Sequence, residues 1–279
     1  MDLSKLKNKL SSLQEGNRKG SGEKKDYSLT TFTPPVGEVQ IRIVPSKYYP
    51  KDTFKEVLFY YDIGRRMMLS PLNFNEKDPI NLFVQQLEKE EYTKEKYYLI
   101  KKLQPKMRIF LPVIERGKED LGVRLWQFGP KMYETLVKYA LDDETKGFED
   151  ILNGRDFTID TVSKENTGTG FSASTIRPRL STTPLSKDKK LVELWLENQP
   201  DPLEEYKNLQ LSFEDMKAAL AKFLTPEEDE ENIPEENPNE IQTSKQTLNK
   251  NEFKKKKSDK IDELFSDNEL SDDADDLPF

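Results

Sequence analysis

The sequence predicts an α+β fold that is mainly β, with accessory helices added to a barrel or sandwich core. The first observation is a series of short runs in which apolar and polar residues alternate, the pattern of half-buried strands. The second is their irregular spacing, with Gly, Pro and charged clusters between them, which favours a barrel or sandwich over a βαβ sheet. Because composition changes at both ends, we expect three segments: a basic arm (1–25), a core (26–225) and an acidic tail (226–279).

The excess of negative charge is concentrated in the tail. Residues 226–279 carry eighteen Asp/Glu and seven Lys/Arg. Residues 1–25, in contrast, carry three Asp/Glu and seven Lys/Arg. The tail also has few apolar residues, and such a composition buries too little apolar surface to offset the entropy lost on ordering. We therefore predict a disordered tail, so the formal net charge of −8 says little about the core.

The run Val39–Val44 shows the strand pattern most clearly, since its apolar residues share one face while Gln40 and Arg42 share the other. Further strands are predicted at Tyr97–Ile100, Arg108–Ile114, Val123–Phe128 and Asp156–Val162. Helices are predicted at Pro79–Glu91 and Pro130–Leu141, where Pro occupies the first helical position, and two more between Leu203 and Leu224. The last of these opens near Ser212 and ends at Thr225-Pro226.

The basic arm carries one apolar stripe. Leu3, Leu6, Leu10 and Leu13 recur at the spacing of one helical face, and Lys5, Lys7 and Lys9 lie around it. A helix of about a dozen residues is marginal in water, so we expect the arm to order only against a partner.

Composition excludes several classes of chemistry. The chain contains no Cys and no His, which excludes disulfides, thiolate metal sites and the usual general base near neutral pH. It has no long apolar run and no apolar signal-peptide centre in Met1–Leu13, so we expect a soluble cytosolic protein. No Gly-rich phosphate cradle is present, and we expect no enzyme activity. Carboxylates and lysines alone still leave open a metal-dependent nuclease.

Cations and aromatic side chains are interleaved between Lys96 and Lys131, a stretch with nine Lys/Arg and three Asp/Glu. A surface for single-stranded nucleic acid needs cations along the backbone and aromatic faces on which bases stack. We expect Tyr97 and Trp126 to stack, with core packing the more common role for the other aromatic side chains. Those others are Tyr98, Phe110 and Phe128, and the candidate phosphate contacts are Lys101, Lys102, Lys106 and Arg108.

A second candidate patch follows the Gly-rich stretch Thr167–Gly170. Phe171 comes directly after it, and Arg177 and Arg179 lie a few residues further on. A loop with one aromatic side chain that leads into two arginines has the composition to close over a nucleic-acid strand. An ordinary hairpin loop with incidental arginines explains the same residues equally well.

Taken in order, these motifs resemble the helix-destabilising single-stranded-DNA-binding proteins of T-even-like bacteriophages. The resemblance runs through Val39–Lys47, Lys96–Lys102, Trp126–Lys131 and Phe157–Phe171, and ends in the acidic tail. It implies an OB-fold core and sequence-independent, cooperative binding that coats and protects single-stranded DNA in the host cytoplasm during replication, recombination and repair. No membrane partner is implied.

The resemblance also implies roles for individual residues. The DNA cleft is expected to include Arg42, Tyr97, Lys101, Lys102, Trp126 and Phe171. The arm is expected to contact the next subunit through Lys5, Lys7, Lys9, Ser11 and Ser12. The tail is expected to recruit a polymerase, a helicase loader or a recombinase through Asp272, Asp273, Asp275, Asp276, Leu277, Pro278 and Phe279.

Two departures from the family stand out. The family carries a structural zinc held by Cys and His, but the matching stretch Arg65–Leu87 contains neither. We therefore expect no metal cofactor, and apolar packing in its place by Met67, Met68, Leu69, Leu72, Phe74, Ile80, Leu82 and Phe83. Lys106-Met107 stands where the family has an aromatic pair, which predicts fewer stacking positions. An adaptor whose acidic tail recruits partners, with a core that only scaffolds it, is the alternative function.

Overall fold

The secondary structure is α+β, with a mixed, open sheet of eight strands, in a computed structural model that describes residues 27–224. Within residues 27–224, helical residues outnumber strand residues, at 38% against 28%. The prediction of a mainly β fold was therefore wrong, because helices occupy segments such as Lys189–Glu197 that showed no clear signal in the sequence.

Each strand and helix has defined bounds. The strands are β1 (Thr31–Phe32), β2 (Gly37–Ile43), β3 (Lys55–Tyr61), β4 (Met67–Leu69), β5 (Lys106–Glu115), β6 (Arg124–Phe128), β7 (Gly154–Val162) and β8 (Ala173–Thr183). The helices are α1 (Pro79–Lys89), α2 (Lys94–Leu103), α3 (Pro130–Leu141), α4 (Lys164–Thr167), α5 (Lys189–Glu197), α6 (Pro202–Tyr206) and α7 (Phe213–Leu224).

The described residues divide into two compact units, and neither is continuous in sequence. The first contains residues 27–57 and Met107–Asn208, and the second contains Leu58–Lys106 and residues 209–224. Six strands follow the order β1-β6-β5-β2-β7-β8, in which β1 and β6 run parallel and the other neighbours antiparallel. In the second unit, β3 pairs antiparallel with β4, with Tyr60 opposite Met68.

Most of the predicted elements are confirmed. The strands predicted at Val39–Val44, Arg108–Ile114, Val123–Phe128 and Asp156–Val162 correspond to β2, β5, β6 and β7. The helices predicted at Pro79 and Pro130 begin at those residues, and the Ser212 hydroxyl accepts the backbone N–H of Asp215 at 3.1 Å where α7 begins. The strand predicted at Tyr97–Ile100 was wrong, since these residues lie in α2.

The core of the first unit follows from the alternation along β2. Val39, Ile41 and Ile43 point into one buried cluster, which also contains Trp126 of β6 and Phe157 of β7. A smaller cluster places Trp195 of α5 with residues that include Val44, Ile114, Val123 and Leu185. Both tryptophans of the chain are therefore core residues.

The core of the second unit is built by α1, α2, α7 and the β3–β4 hairpin. Met68, Ile80 and Phe83 lie in its buried cluster, and Leu69 is also buried. Apolar packing was predicted for this stretch, and it is confirmed for these four side chains. The helix α7 adds Met216, Leu220 and Leu224, so residues far apart in sequence complete one core.

A buried carboxylate organises the same unit. Asp78 caps α1 by accepting the backbone N–H groups of Ile80 and Asn81 at 3.0 and 3.1 Å. It also accepts the hydroxyls of Tyr60 at 2.9 Å and Ser70 at 2.8 Å. Burial, with the Asp78 carboxylate beside it, raises the pKa of Tyr60. Four donors thus satisfy one buried charge and join β3, the start of α1 and the segment before it.

Replacing Asp78 with Ala is expected to lower the free energy of unfolding by about 3 kcal/mol, because the change removes a helix cap and leaves two buried hydroxyls without their acceptor. The control is Asp188→Ala, which removes the exposed cap of α5 and should cost about 1 kcal/mol. Urea denaturation followed by far-ultraviolet circular dichroism measures both, and equal losses would contradict the assignment.

Candidate nucleic-acid interface

The most exposed aromatic cluster of the second unit lies on and beside α2. We define the tyrosine–lysine face as Tyr92, Tyr97, Tyr98, Lys101 and Lys102, all of which are exposed to solvent. Tyr92 is 74% exposed and Tyr98 is 58% exposed, large values for side chains of this size. Three aromatic rings and two ammonium groups are therefore available to a ligand on one short segment.

The helix α2 forms here because of its cap and its apolar side. The Thr93 hydroxyl accepts the backbone N–H of Lys96 at 3.2 Å, which satisfies a free donor of the first turn. Leu103 is buried in the core of the second unit, and Leu99 and Ile100 pack against it. Burial of this side leaves the tyrosines and lysines on the opposite side, at the edge of the unit.

The rings of the tyrosine–lysine face contact one another. The ring centroids of Tyr92 and Tyr97 are 6.4 Å apart, and those of Tyr97 and Tyr98 are 5.7 Å apart in an edge-to-face arrangement. The Lys101 ammonium lies 5.6 Å from the centroid of Tyr97, one helical turn back. The face therefore combines π surfaces with positive charge, the two features that stacked bases and phosphates require.

Two lysines beside the tyrosine–lysine face already have hydrogen-bond or ion-pair partners. Lys96 forms an ion pair with Glu90 at 2.6 Å, and its ammonium also donates to the carbonyl of Glu91. Lys106 donates to the carbonyl of Lys101 at 2.8 Å, beyond the C-terminal end of α2, where positive charge is favourable. Lys106 was predicted as a phosphate contact, and in the structure its ammonium also supports the helix end.

The predicted residues Tyr97, Lys101 and Lys102 thus come together, although a helix rather than a strand presents them. Tyr98 was expected in the core and is instead exposed, and Tyr92 was missed. The missed signal is the sequence Thr93-Lys94-Glu95-Lys96, in which a capping residue precedes good helix formers.

A second exposed aromatic side chain, Phe171, lies in the first unit between β7 and β8. Thr167 and Thr169 donate their hydroxyls to the Phe171 carbonyl at 2.7 and 3.3 Å, so the backbone here is held while the ring faces solvent. Gly168 and Gly170 adopt φ values of +67° and +75°, which residues with a side chain rarely adopt. The loop that was predicted from the glycines is present, with its aromatic side chain outward.

The arginines that follow Phe171 are exposed on β8. Arg177 forms an ion pair with Glu38 at 2.6 Å, and both side chains remain largely in solvent. Such a pair contributes little to stability, so a phosphate can replace Glu38 at small cost. Arg179 is exposed as well, and its carbonyl accepts the guanidinium of Arg155.

Arg42 was predicted to line the DNA cleft, and the structure corrects this. Its guanidinium is fully buried and donates to the carbonyls of Asp150 and Thr183 at 2.7 and 2.9 Å. It also lies 3.5 Å from the carboxylate of Asp156, to which Arg116 binds at 2.8 Å. Desolvation lowers the pKa of Arg42, and Asp156 opposes that shift. Arg42 therefore stabilises the fold and cannot reach a ligand.

Trp126 was also predicted to stack on bases, and it is only 2% exposed. Its ring packs 4.5 Å from that of Phe128 in the core of the first unit. Leu125 beside it is buried too, so both faces of β6 are covered and alternation could not identify an outer side. Phe110 and Phe128 are core residues as expected, and Arg108 is half-buried on β5.

The remaining predicted site residues lie outside the described range. They are the arm residues Lys5, Lys7, Lys9, Ser11 and Ser12 and the tail residues Asp272, Asp273, Asp275, Asp276, Leu277, Pro278 and Phe279. Within residues 27–224, no cluster of three or more Asp or Glu side chains is arranged to hold a metal ion. No helix in that same range is long and apolar enough to cross a membrane.

Comparison of the chain with models of known protein families and with curated protein sequences finds no match.

Replacing Arg42 with Ala is expected to lower the free energy of unfolding by about 3 kcal/mol, because breaking a buried ion pair leaves Asp156 and two carbonyls with fewer donors. Arg177→Ala, which removes an exposed guanidinium of the same type, should cost less than about 1 kcal/mol. Urea denaturation of both variants measures the difference. An Arg42 variant as stable as the Arg177 variant would contradict the structural role.

Proposed function

We propose that this chain binds single-stranded DNA cooperatively and without sequence specificity, and that it coats and protects the strand during replication, recombination and repair. The observation that carries the proposal is the tyrosine–lysine face, where exposed rings and ammonium groups alternate on one helix. Splayed bases offer their faces to such rings, whereas the bases of a duplex are already stacked on one another. The face therefore favours an open strand over a duplex.

The first unit supplies a further candidate contact in Phe171, Arg177 and Arg179. One exposed ring and two exposed guanidinium groups repeat the combination found on α2. We propose this patch as a separate DNA contact of the first unit. The proposal also includes an OB-type core, supported by the antiparallel ladder in which β2 lies between β5 and β7.

The arm and the tail complete the proposal. The arm, with its leucine stripe and excess of lysines, would contact the neighbouring subunit along the strand. The tail, with eighteen carboxylates and a terminal Leu-Pro-Phe, would recruit replication and recombination proteins such as a polymerase, a helicase loader or a recombinase. Binding is stoichiometric, and the chain destabilises a duplex by mass action because it prefers the open strand.

The double variant Tyr97→Ala/Tyr98→Ala is expected to weaken binding of a short oligo-dT by about tenfold to a hundredfold, because stacking contributes roughly 1–3 kcal/mol per base. Fluorescence anisotropy of the labelled oligonucleotide measures the affinity, with a duplex of equal length as the comparison. Tyr48→Ala, which removes a partly exposed tyrosine of the first unit, is the control. Both tryptophans lie in the first unit and do not report on α2, so urea denaturation followed by far-ultraviolet circular dichroism is used to show that each variant is folded. No binding of oligo-dT by the wild-type chain at low salt would overturn the proposal in favour of an adaptor.

The double variant Lys101→Ala/Lys102→Ala is expected to reduce the salt dependence of binding. Each phosphate contact on a single strand contributes about 0.7 to the slope of log K against log salt concentration, so the slope should fall by about 1.4. Lys189→Ala/Lys190→Ala removes the same charge from α5, a helix without an exposed aromatic side chain, and should leave the slope nearly unchanged. Equal changes in both variants would show that general charge, rather than this face, attracts the strand.

A further inference from the structure

Three leucines of the first unit project almost entirely into solvent, and the proposed DNA contacts do not use them. Leu141 is 78% exposed, Leu152 is 70% exposed and Leu180 is 96% exposed. We call this set the leucine patch. A single exposed leucine is ordinary, but an exposed apolar group on several adjoining segments indicates an interaction surface.

The side chain of Arg155 joins the segments that carry the leucine patch. Its guanidinium donates to the carbonyl of Glu144 at 2.7 Å and to those of Arg179 at 3.1 Å and Leu180. Glu144 follows Leu141 by three residues, and Arg155 follows Leu152 by three. Arg155 therefore links the segment that follows Leu141 with the segment that carries Leu180, and it lies three residues after Leu152.

Local structure holds each leucine outward. Leu141 is the last residue of α3, where the chain turns away. Leu152 lies in a turn in which the Asp150 carboxylate accepts the backbone N–H groups of Leu152 and Asn153 at 2.8 and 2.7 Å. These two hydrogen bonds lower the pKa of Asp150, so the turn keeps its negative charge.

Leu180 projects because β8 carries a bulge. Arg155 pairs with Thr182 and Phe157 with Pro178, so one residue of β7 lies opposite three of β8. The extra residues displace Leu180 from the ladder, and Arg155 holds their carbonyls in place. Bulges commonly redirect a side chain toward a functional surface.

An acidic segment lies between Leu141 and Leu152 in sequence, while Arg155 and Arg179 lie beside Leu180. Residues 142–150 carry five carboxylates and one lysine, a net charge of −4, and that lysine, Lys146, is paired with Asp143 at 2.6 Å. An apolar centre with an acidic rim fits a partner that combines an apolar stripe with lysines. The arm has this combination, since Leu3, Leu6, Leu10 and Leu13 recur at helical spacing among Lys5, Lys7 and Lys9.

We propose that the leucine patch of one subunit is the docking surface for residues 3–13 of a second copy of this chain. The leucines of the arm would cover the leucines of the patch, and the arm lysines would pair with Asp143, Glu144 and their neighbours. Docking would give the arm the partner that a short helix needs in order to form. The proposal rests on the proposed function only for its link to cooperative DNA binding, because the contact itself does not require DNA.

The variant Leu141→Ser/Leu152→Ser/Leu180→Ser tests the apolar part. Affinity for poly-dT, divided by affinity for an oligonucleotide that holds one subunit, measures cooperativity. This ratio should fall about tenfold or more, as for the loss of an interface hot spot, while affinity for the short oligonucleotide is unchanged. Val36→Ser, another exposed apolar position, is the control. An unchanged ratio overturns the proposal, and a parallel loss of short-oligonucleotide affinity would assign the leucines to the nucleic acid instead.

A charge exchange tests the acidic rim. Asp143→Lys/Glu144→Lys should reduce cooperativity, and adding Lys7→Glu/Lys9→Glu to the same chain should restore most of it, because the pairs are re-formed with opposite signs. Restoration distinguishes a direct contact from general destabilisation. Absence of restoration overturns the pairing of the arm with this rim.

Crosslinking tests which copy supplies the arm. Because the chain contains no cysteine, only the introduced cysteines can react. The full chain with Ser12→Cys is mixed with the full chain with Asn153→Cys, and a bismaleimide is added with and without poly-dT. A crosslinked dimer of the two chains is expected, and Lys187→Cys in place of Asn153→Cys should give little. If the only product is an internal crosslink in a chain that carries both cysteines, the arm covers its own patch and the proposal fails. If the wild-type chain binds no DNA but the two cysteine variants still form the crosslinked dimer, the proposed function is refuted and the docking surface is retained.

Discussion

Burial of the Arg42 guanidinium is the constraint on which the first unit depends. A buried cation is costly unless most of its donors are satisfied. Here Asp156, the Asp150 carbonyl and both Thr183 oxygens accept from the two terminal nitrogens of Arg42, while Nε has no hydrogen-bond partner among the described residues. These partners lie on β7, in the turn before it and at the end of β8, so one side chain of β2 joins three distant segments. Gly154 shows how closely they approach, because a Cβ there would lie 2.4 Å from the Arg42 guanidinium.

The burial of Arg42 also affects segments that carry exposed residues. Asp150 offers its carbonyl to Arg42 inside the unit and its carboxylate to the turn that presents Leu152 outside it. Thr183 closes β8 just beyond the bulge that displaces Leu180. The buried guanidinium thus holds the segments beside Leu152 and Leu180. At the surface, Arg155 links the bulge to the segment after Leu141, since it donates to the carbonyls of Arg179 and Glu144.

Sequence patterns predicted the strands and helices in which one face is buried. They failed where tertiary packing overrode the local preference of the residues. Tyr97–Ile100 has the composition of a strand, but the Thr93 cap and the burial of Leu103 favour a helix. Alternation failed for Trp126 because β6 is covered on both faces. It failed for Arg42 because β2, although Glu38 and Gln40 are exposed, is buried on both sides where it ends at Arg42 and Ile43. Tyr97, Lys101 and Lys102 are nevertheless exposed together, because a helix brings residues four apart onto one side as a strand does for residues two apart.

The tyrosine–lysine face and the leucine patch differ in chemistry, which favours different ligands for them. The tyrosine–lysine face on α2 offers rings and positive charge, which suit bases and phosphates. The leucine patch offers aliphatic side chains beside the acidic segment 142–150, which suits a basic amphipathic segment. In the proposed function, the rings of α2 would bind the strand and the leucines would bind the arm of a neighbouring subunit. The two contacts would use different side chains, so strand binding and subunit contact could occur together.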